Sequence, residues 1–376
     1  MKKIILLAAV AAIVACSKTD NFKETEEAAI DFSEVFLEKS TKASYTDVAS
    51  LKSDSRGFGV FASKTKQDDS AEKVFGKSSA ETNGGAQVTW NTTSSKWTYS
   101  PIRYWDKGAK SYHFYAYAPY NAVTTGSNRL LGTVTWSEST ANSFKIEGFK
   151  QTATVADMVD ILTDLTNAAN ITPTYSNPVT FSFSHILSNI NFYMAVSPAL
   201  KADETLNPVS VNSIKVGTVK LDGSYAYDTN AYKWTIANNS TTSDFNATVT
   251  SGKVFDVRVL KATEDTNPAS LNTATQVGDP TAVPGLTDLL FIPQPLPTDT
   301  KYTVTIQYMI GDETFDKTIN LNDFSKTENN TTVNTTQWVS GYKYNYILVI
   351  GPTPIEFDVQ QIGDWAETDT YYYTID

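Results

Sequence analysis

One cysteine, Cys16, stands in 376 residues, so the chain can form no internal disulfide and no CxxC redox or cysteine-rich zinc site. Histidine is almost as scarce. His113 and His185 are the only two, and neither lies in HExxH or at metal-ligand spacing from a second ligand. Each reads as a structural histidine at the edge of a core. The GxSxG nucleophile elbow and the GxxxxGK[ST] phosphate loop are both absent, and the glycines Gly57 and Gly59 read as the start of a strand. The 41 Asp and Glu residues single out no glycosidase pair. The expectation is a non-enzyme with no metal and no cofactor. Basic residues are in deficit too: 30 Lys and Arg leave a net charge of −11, with no basic stripe for phosphates, which argues against a nucleic-acid partner.

Long apolar runs are missing except at the start. Lys2 and Lys3 precede an apolar stretch from Ile4 to Val14, and Ile13-Val14-Ala15-Cys16 has the small-residue pattern that lipoprotein signal peptidase reads before a cysteine. The stretch is too short to span a bilayer. Residues 1–15 therefore read as a lipoprotein signal peptide, and Cys16 as the lipidated end that ties the chain to a bacterial envelope. More than one acyl chain is what stable anchoring requires. Residues 16–28 are polar and acidic, the composition of a flexible tether.

What the sequence has in abundance is aromatic: 20 Tyr, 18 Phe and 7 Trp, residues that favour strands. In 28–43, Ile30, Phe32 and Phe36 lie on one face of an extended strand, although the frequent glutamates allow a helical alternative. RGFGVFAS, AQVTWN, SKWTYS and SYHFYAYAPY follow as short strands between turn-rich stretches. The segment 154–166, TVADMVDILTDLT, is the best helix or capped-turn candidate, and the connector ITPTYSNP after it suggests a domain boundary. Beyond that point VTFSFSHILSNINFYMAV opens a second series of strands. Tyr302, Val304, Ile306, Tyr308 and Ile310 alternate with polar residues, as do Tyr342, Tyr344, Tyr346, Leu348 and Ile350. Such alternation places one face on a core and one toward water. The pattern predicts an all-β chain of two tandem antiparallel β-sandwich domains, 29–177 and 178–376.

Two weaker signals remain. Trp90, Trp97, Trp105 and Trp136 could form a stacking platform for a glycan, although large aromatics more often fill cores. Asp69-Ser70-Ala71 is similar to a short acceptor motif of bacterial O-glycosylation, and also suits a plain loop.

Taken in order, the Cys16 lipobox, AIDFSEVFLEKSTKA, YHFYAYAPY, ADMVDIL, FSFSHILSNINF, LLFIPQPL, WVSGYKYNYILVI and IEFDVQQIGDW resemble the Mfa-like fimbrillin family, the subunits of type V pili. The resemblance implies two transthyretin-like β-sandwiches and a lipoprotein precursor that reaches the cell surface. It implies that a trypsin-like protease cuts after a basic residue behind the first strand, so that this strand leaves with the lipid. Another pilin subunit then inserts a donor strand into the opened groove. Lys42 in STKA matches the family's basic position, and Arg56, just before the RGFGVFAS strand, is a second candidate. The displaced face would comprise Ile30, Phe32 and Phe36, each contributing about 1.5–3 kcal/mol if fully buried, and its loss would leave an unpaired sheet edge. In the C-terminal segment AETDTYYYTID, Tyr371, Tyr373 and Ile375 share one strand face and form the candidate donor. The implied partners are other pilin subunits, the processing protease, the outer membrane through the lipid, and a host protein or glycan receptor. The alternative is a cell-surface lipoprotein that binds glycans and never polymerises.

Overall fold

The computed structural model describes residues 28–37, 47–122, 130–152, 157–165, 171–173, 177–196, 209–237, 242–248, 258–259, 275–276, 289–296, 302–323, 325–328, 331–334 and 336–350. Over these the regular structure is nearly all strand. It runs β1 (Phe32–Leu37), α1 (Val48–Ser53), β2 (Phe58–Thr65), β3 (Ala71–Phe75), β4 (Ala86–Asn91), β5 (Lys96–Thr98), β6 (Ser111–Ala118), β7 (Thr133–Thr135), β8 (Lys145–Lys150), β9 (Leu162–Asp164) and β10 (Val179–His185). There follow β11 (Ser188–Val196), β12 (Val209–Lys220), β13 (Asp222–Asp228), β14 (Ala231–Ile236), β15 (Thr242–Thr248), β16 (Arg258–Val259), β17 (Thr275–Gln276) and β18 (Leu289–Phe291). The last are β19 (Thr303–Ile310), β20 (Glu313–Asn320), β21 (Ser325–Glu328), β22 (Thr331–Asn334) and β23 (Lys343–Ile350).

The first sheet orders its strands β1-β10-β9-β6-β2-β4-β5, with β3 paired to β2. Its central strands are buried on both faces, which is why β2 reads as a nearly unbroken apolar run and not as an alternation. Phe58, Val60 and Ala62 of β2 enter one core with Phe114, Ala116, Phe181 and Phe183. Phe61, Tyr115 and Tyr117, on the opposite face, enter a second core with Trp136, Phe144 and Phe149.

That second core continues without a break into the rest of the chain, through Ile190, Phe192, Ile214, Val304, Ile306 and Tyr346. Three sheets enclose it. One runs β14-β13-β8-β7, another β15-β12-β19-β20, and in the third β11 carries β16, β17 and β18 and pairs in parallel with β23. In β19 the expected alternation is seen residue by residue: Val304, Ile306 and Tyr308 are buried while Thr303, Thr305 and Gln307 are partly exposed.

Two features differ from the sequence reading. Within 154–166 the described residues hold no α-helix; Leu162–Asp164 form β9, all three buried between β6 and β10. Helix-favouring residues there yield to a place in the sheet, where tertiary pairing outweighs propensity. The sheets also cross position 177: β9 and β10, on either side of it, are hydrogen-bonded neighbours, and β13 pairs with β8. The first sheet thus extends to His185.

Candidate functional site

The site is the seat of the first strand. Its entry is clamped by the loop at 99–105: the Ile30 amide donates to the Arg103 carbonyl at 2.8 Å, and the Trp105 amide donates to the Ala28 carbonyl at 3.0 Å. The Tyr99 hydroxyl donates to the Ile30 carbonyl at 2.6 Å and accepts from the Arg103 amide at 3.2 Å. Burial pushes the Tyr99 phenol up to about 12, so it stays a donor at any physiological pH. The loop itself is pinned by Arg103, whose guanidinium pairs with the Glu81 carboxylate at 2.9 Å and donates to the Val74 carbonyl at 3.1 Å.

Past Asp31 the chain becomes β1, a terminal strand of the first sheet, and runs parallel to β10. The register joins Phe32 to Val179 and Val35 to Phe181, so three steps along β1 match two along β10. The extra residue is a bulge, and it inverts the side-chain alternation beyond it. Ile30, Phe32 and Val35 are buried, whereas Phe36 is 52 % exposed. Phe36, expected on the buried face of the first strand, therefore does not enter the core; Val35 occupies that place. Period-2 counting has no means of seeing the bulge, so it missed Val35.

Phe32 is the centre of the seat. Its ring lies 5.5–6.4 Å, centroid to centroid, from those of Phe58, Phe75, Tyr99, Phe114 and Phe181. Aromatic pairs at these separations add to simple area burial. Tyr99 and Arg103, which close the clamp, were not singled out in the sequence; the aromatic-rich run 97–105 carries no signal that it faces residue 30.

Of the processing candidates, Lys42 lies outside the described residues, as do Cys16 and the tail residues Tyr371, Tyr373 and Ile375. Arg56 is described and is tightly held. Its guanidinium forms a two-pronged pair with the Asp54 carboxylate at 2.6–3.0 Å, and its amide donates to the same carboxylate at 2.8 Å. Its carbonyl accepts from Gln87 at 2.9 Å. Gly57 follows with φ of +59°, where a Cβ would run into the Val88 carbonyl oxygen. Only glycine suits that combination of left-handed backbone and close approach.

The tryptophans do not form one platform. Trp97 and Trp105 are buried in the first core and Trp136 in the second, while Trp90 is half-buried at the rim. The histidines also stay apart. His113 stacks on Tyr115 at 4.3 Å, and His185 Nδ1 lies 3.0 Å from the buried Asp160 carboxylate. Among the described residues no cluster of three or more His, Cys, Asp or Glu could hold a metal.

Residues 41–365 match the sequence model of a family described as fimbrillin-like. A fimbrium subunit, Fim1C, from Phocaeicola vulgatus is 24% identical over 401 residues, spanning 98% of this chain and 97% of that protein. Among solved structures, a fimbrial protein from Bacteroides vulgatus superposes with a TM-score of 0.54 at 19% identity, covering 92% of this chain and 99% of that one, a likeness of fold.

Proposed function

The chain belongs to the fimbrillin-like family, and from that premise we propose that it is a structural subunit of a surface fimbrium, assembled by exchange of its first strand. It is exported as a lipoprotein through Cys16 and held at the outer membrane. A trypsin-like protease cuts behind β1, and β1 departs with the lipid. A strand from a second subunit takes its place, and the resulting fibre serves adhesion to a host protein or glycan.

The observation that carries this reading is the position of β1. As a terminal strand it is hydrogen-bonded to a single neighbour, so its removal breaks one ladder and leaves the other strands of the sheet paired. At the same time Ile30, Phe32 and Val35 leave a trough walled by Phe58, Phe75, Tyr99, Phe114 and Phe181. Exposing that wall costs about 1.5–3 kcal/mol for each large side chain withdrawn. An empty trough beside an unpaired edge is a strong acceptor for a new strand, recognition by β-augmentation. Tyr371, Tyr373 and Ile375 supply the donor face.

The test is mass spectrometry of the N-terminus of the protein recovered from the fimbriae of its native cell. A chain starting at Ala43 is expected. A fimbrial chain that still begins at acylated Cys16 would overturn the strand-exchange reading.

A further inference from the structure

The first sheet curls so that its two terminal strands, β1 and β5, approach each other. Between them lies a cavity of about 350 Å³, within the size range of small-ligand sites. Trp90 and Trp97 are cross-strand partners on β4 and β5, their rings 5.3 Å apart and nearly perpendicular, and both line it. The Trp97 indole N–H is buried and has no hydrogen-bond partner among the described residues. Buried donors are rarely left so, and each such group calls for an explanation. A ligand acceptor is one.

Charge narrows the choice of ligand. Lys52 and Lys96 line the cavity against one carboxylate, Asp31, in a chain whose net charge is −11. Lys52 is held in place, its ammonium 4.1 Å from the centroid of the Trp90 ring. The cavity is thus lined by an aromatic ring, by Trp97 with its buried and unpartnered indole N–H, by Ser95 and by Ser33, whose hydroxyl pairs with that of Thr180 at 2.8 Å, and it carries an excess of positive charge. A pyranose offers an apolar C–H face for the ring and hydroxyls for the polar groups; a carboxylate would answer the lysines.

We propose that this cavity binds an anionic sugar, a uronic-acid residue of a glycan, with its carboxylate beside Lys52 and Lys96 and a ring oxygen or hydroxyl on the Trp97 N–H. Asp31, Phe32 and Ser33 belong to the β1 segment, so the site exists where that segment is seated. It is therefore a site of the chain that still holds β1, and binding is read on that intact chain.

The experiment follows the indole N–H cross-peaks of the seven tryptophans in the 15N-labelled chain during titration with methyl β-D-glucuronide. Methyl β-D-glucoside is the uncharged control, and Trp90→Phe and Trp97→Phe assign the peaks. The Trp97 and Trp90 signals are expected to shift saturably with the glucuronide and at least about tenfold more weakly with the glucoside, because charge-assisted hydrogen bonds are the strong ones. Lys52→Gln should weaken glucuronide binding about tenfold, with the remaining indole peaks unmoved to show that the fold is kept. No shift, equal shifts with the two sugars, or unchanged binding by the Lys52→Gln protein would each overturn the proposal.

Discussion

Phe32 stacks on Phe181 at 5.6 Å with 29° between the ring planes, so β1 and β10 are joined by side chains as well as by their backbone ladder. The strand's attachment thus rests on Phe32 and not on Phe36, four residues on. Phe32→Ala should lower stability by about 3–5 kcal/mol, the usual cost of emptying a buried phenylalanine site. Phe36→Ala, on the exposed side of the bulge, should stay within about 0.5 kcal/mol of the parent. Denaturant midpoints of the three proteins check this, and equal losses for the two variants would contradict the register.

His113 gives the fold a pH dependence of predictable sign. Burial holds its imidazole below the ordinary 6.5, against the opposing effect of a hydrogen bond to the Leu165 backbone. The unfolded chain therefore takes up the proton first as pH falls, and stability declines from about 6.5 down to the folded value. The depressed carboxylates act lower. Hydrogen bonding from Lys64 lowers Asp106 below 3.8, and that from Lys66 lowers Glu72 below 4.5. Their contributions are present above the unfolded values and are lost as pH falls through the folded ones. His113→Phe, which keeps a ring against Tyr115, should flatten the stability profile between pH 6.5 and 5. A slope identical to the parent's in urea midpoints would exclude His113 as its source.

What the sequence made legible was local. AQVTWN became β4 over Ala86–Asn91 residue for residue, and the alternation from Tyr302 to Tyr308 gave the buried face of β19. Both follow from the two-residue period of a strand with one face on a core. Illegible were the relations that depend on distant partners. Leu162–Asp164 is a strand because β6 and β10 flank it, and nothing in DMVDILTDLT announces those neighbours. β1 is parallel to β10 with a bulge, and the bulge alone decides that Val35 and not Phe36 is inside. Resemblance to a family supplied the role proposed for the first strand, which composition could not.

If the tail supplies the donor strand, its removal should separate folding from assembly. Deleting 370–376 takes away Tyr371, Tyr373 and Ile375 and leaves in place every described residue of the two cores. The shortened monomer should keep its denaturation midpoint and fail to form oligomers after proteolytic processing, whereas the full chain should give a ladder of stable species on gels. Filaments of normal length from the truncated protein would assign the donor strand elsewhere.

The choice between Lys42 and Arg56 can be argued from protease geometry. A trypsin-like enzyme must draw the basic side chain into its own acidic pocket and hold the surrounding backbone extended. At Arg56 the guanidinium is already committed to Asp54 at 2.6 Å, the carbonyl of the bond to be cut is bound by Gln87, and Gly57 is fixed at a positive φ. Cleavage there requires local unfolding first, and its rate follows the population of the opened state. Brief trypsin treatment of the folded chain should therefore yield a terminus at Ala43 well before one at Gly57. Asp54→Ala frees the guanidinium and removes an acceptor from the Arg56 amide, so it should raise the Gly57 product by about tenfold if the lost charged pair was worth about 1.4 kcal/mol. A Gly57 terminus dominating in the unmodified protein would make Arg56 the processing site and would place α1 in the segment that leaves with β1.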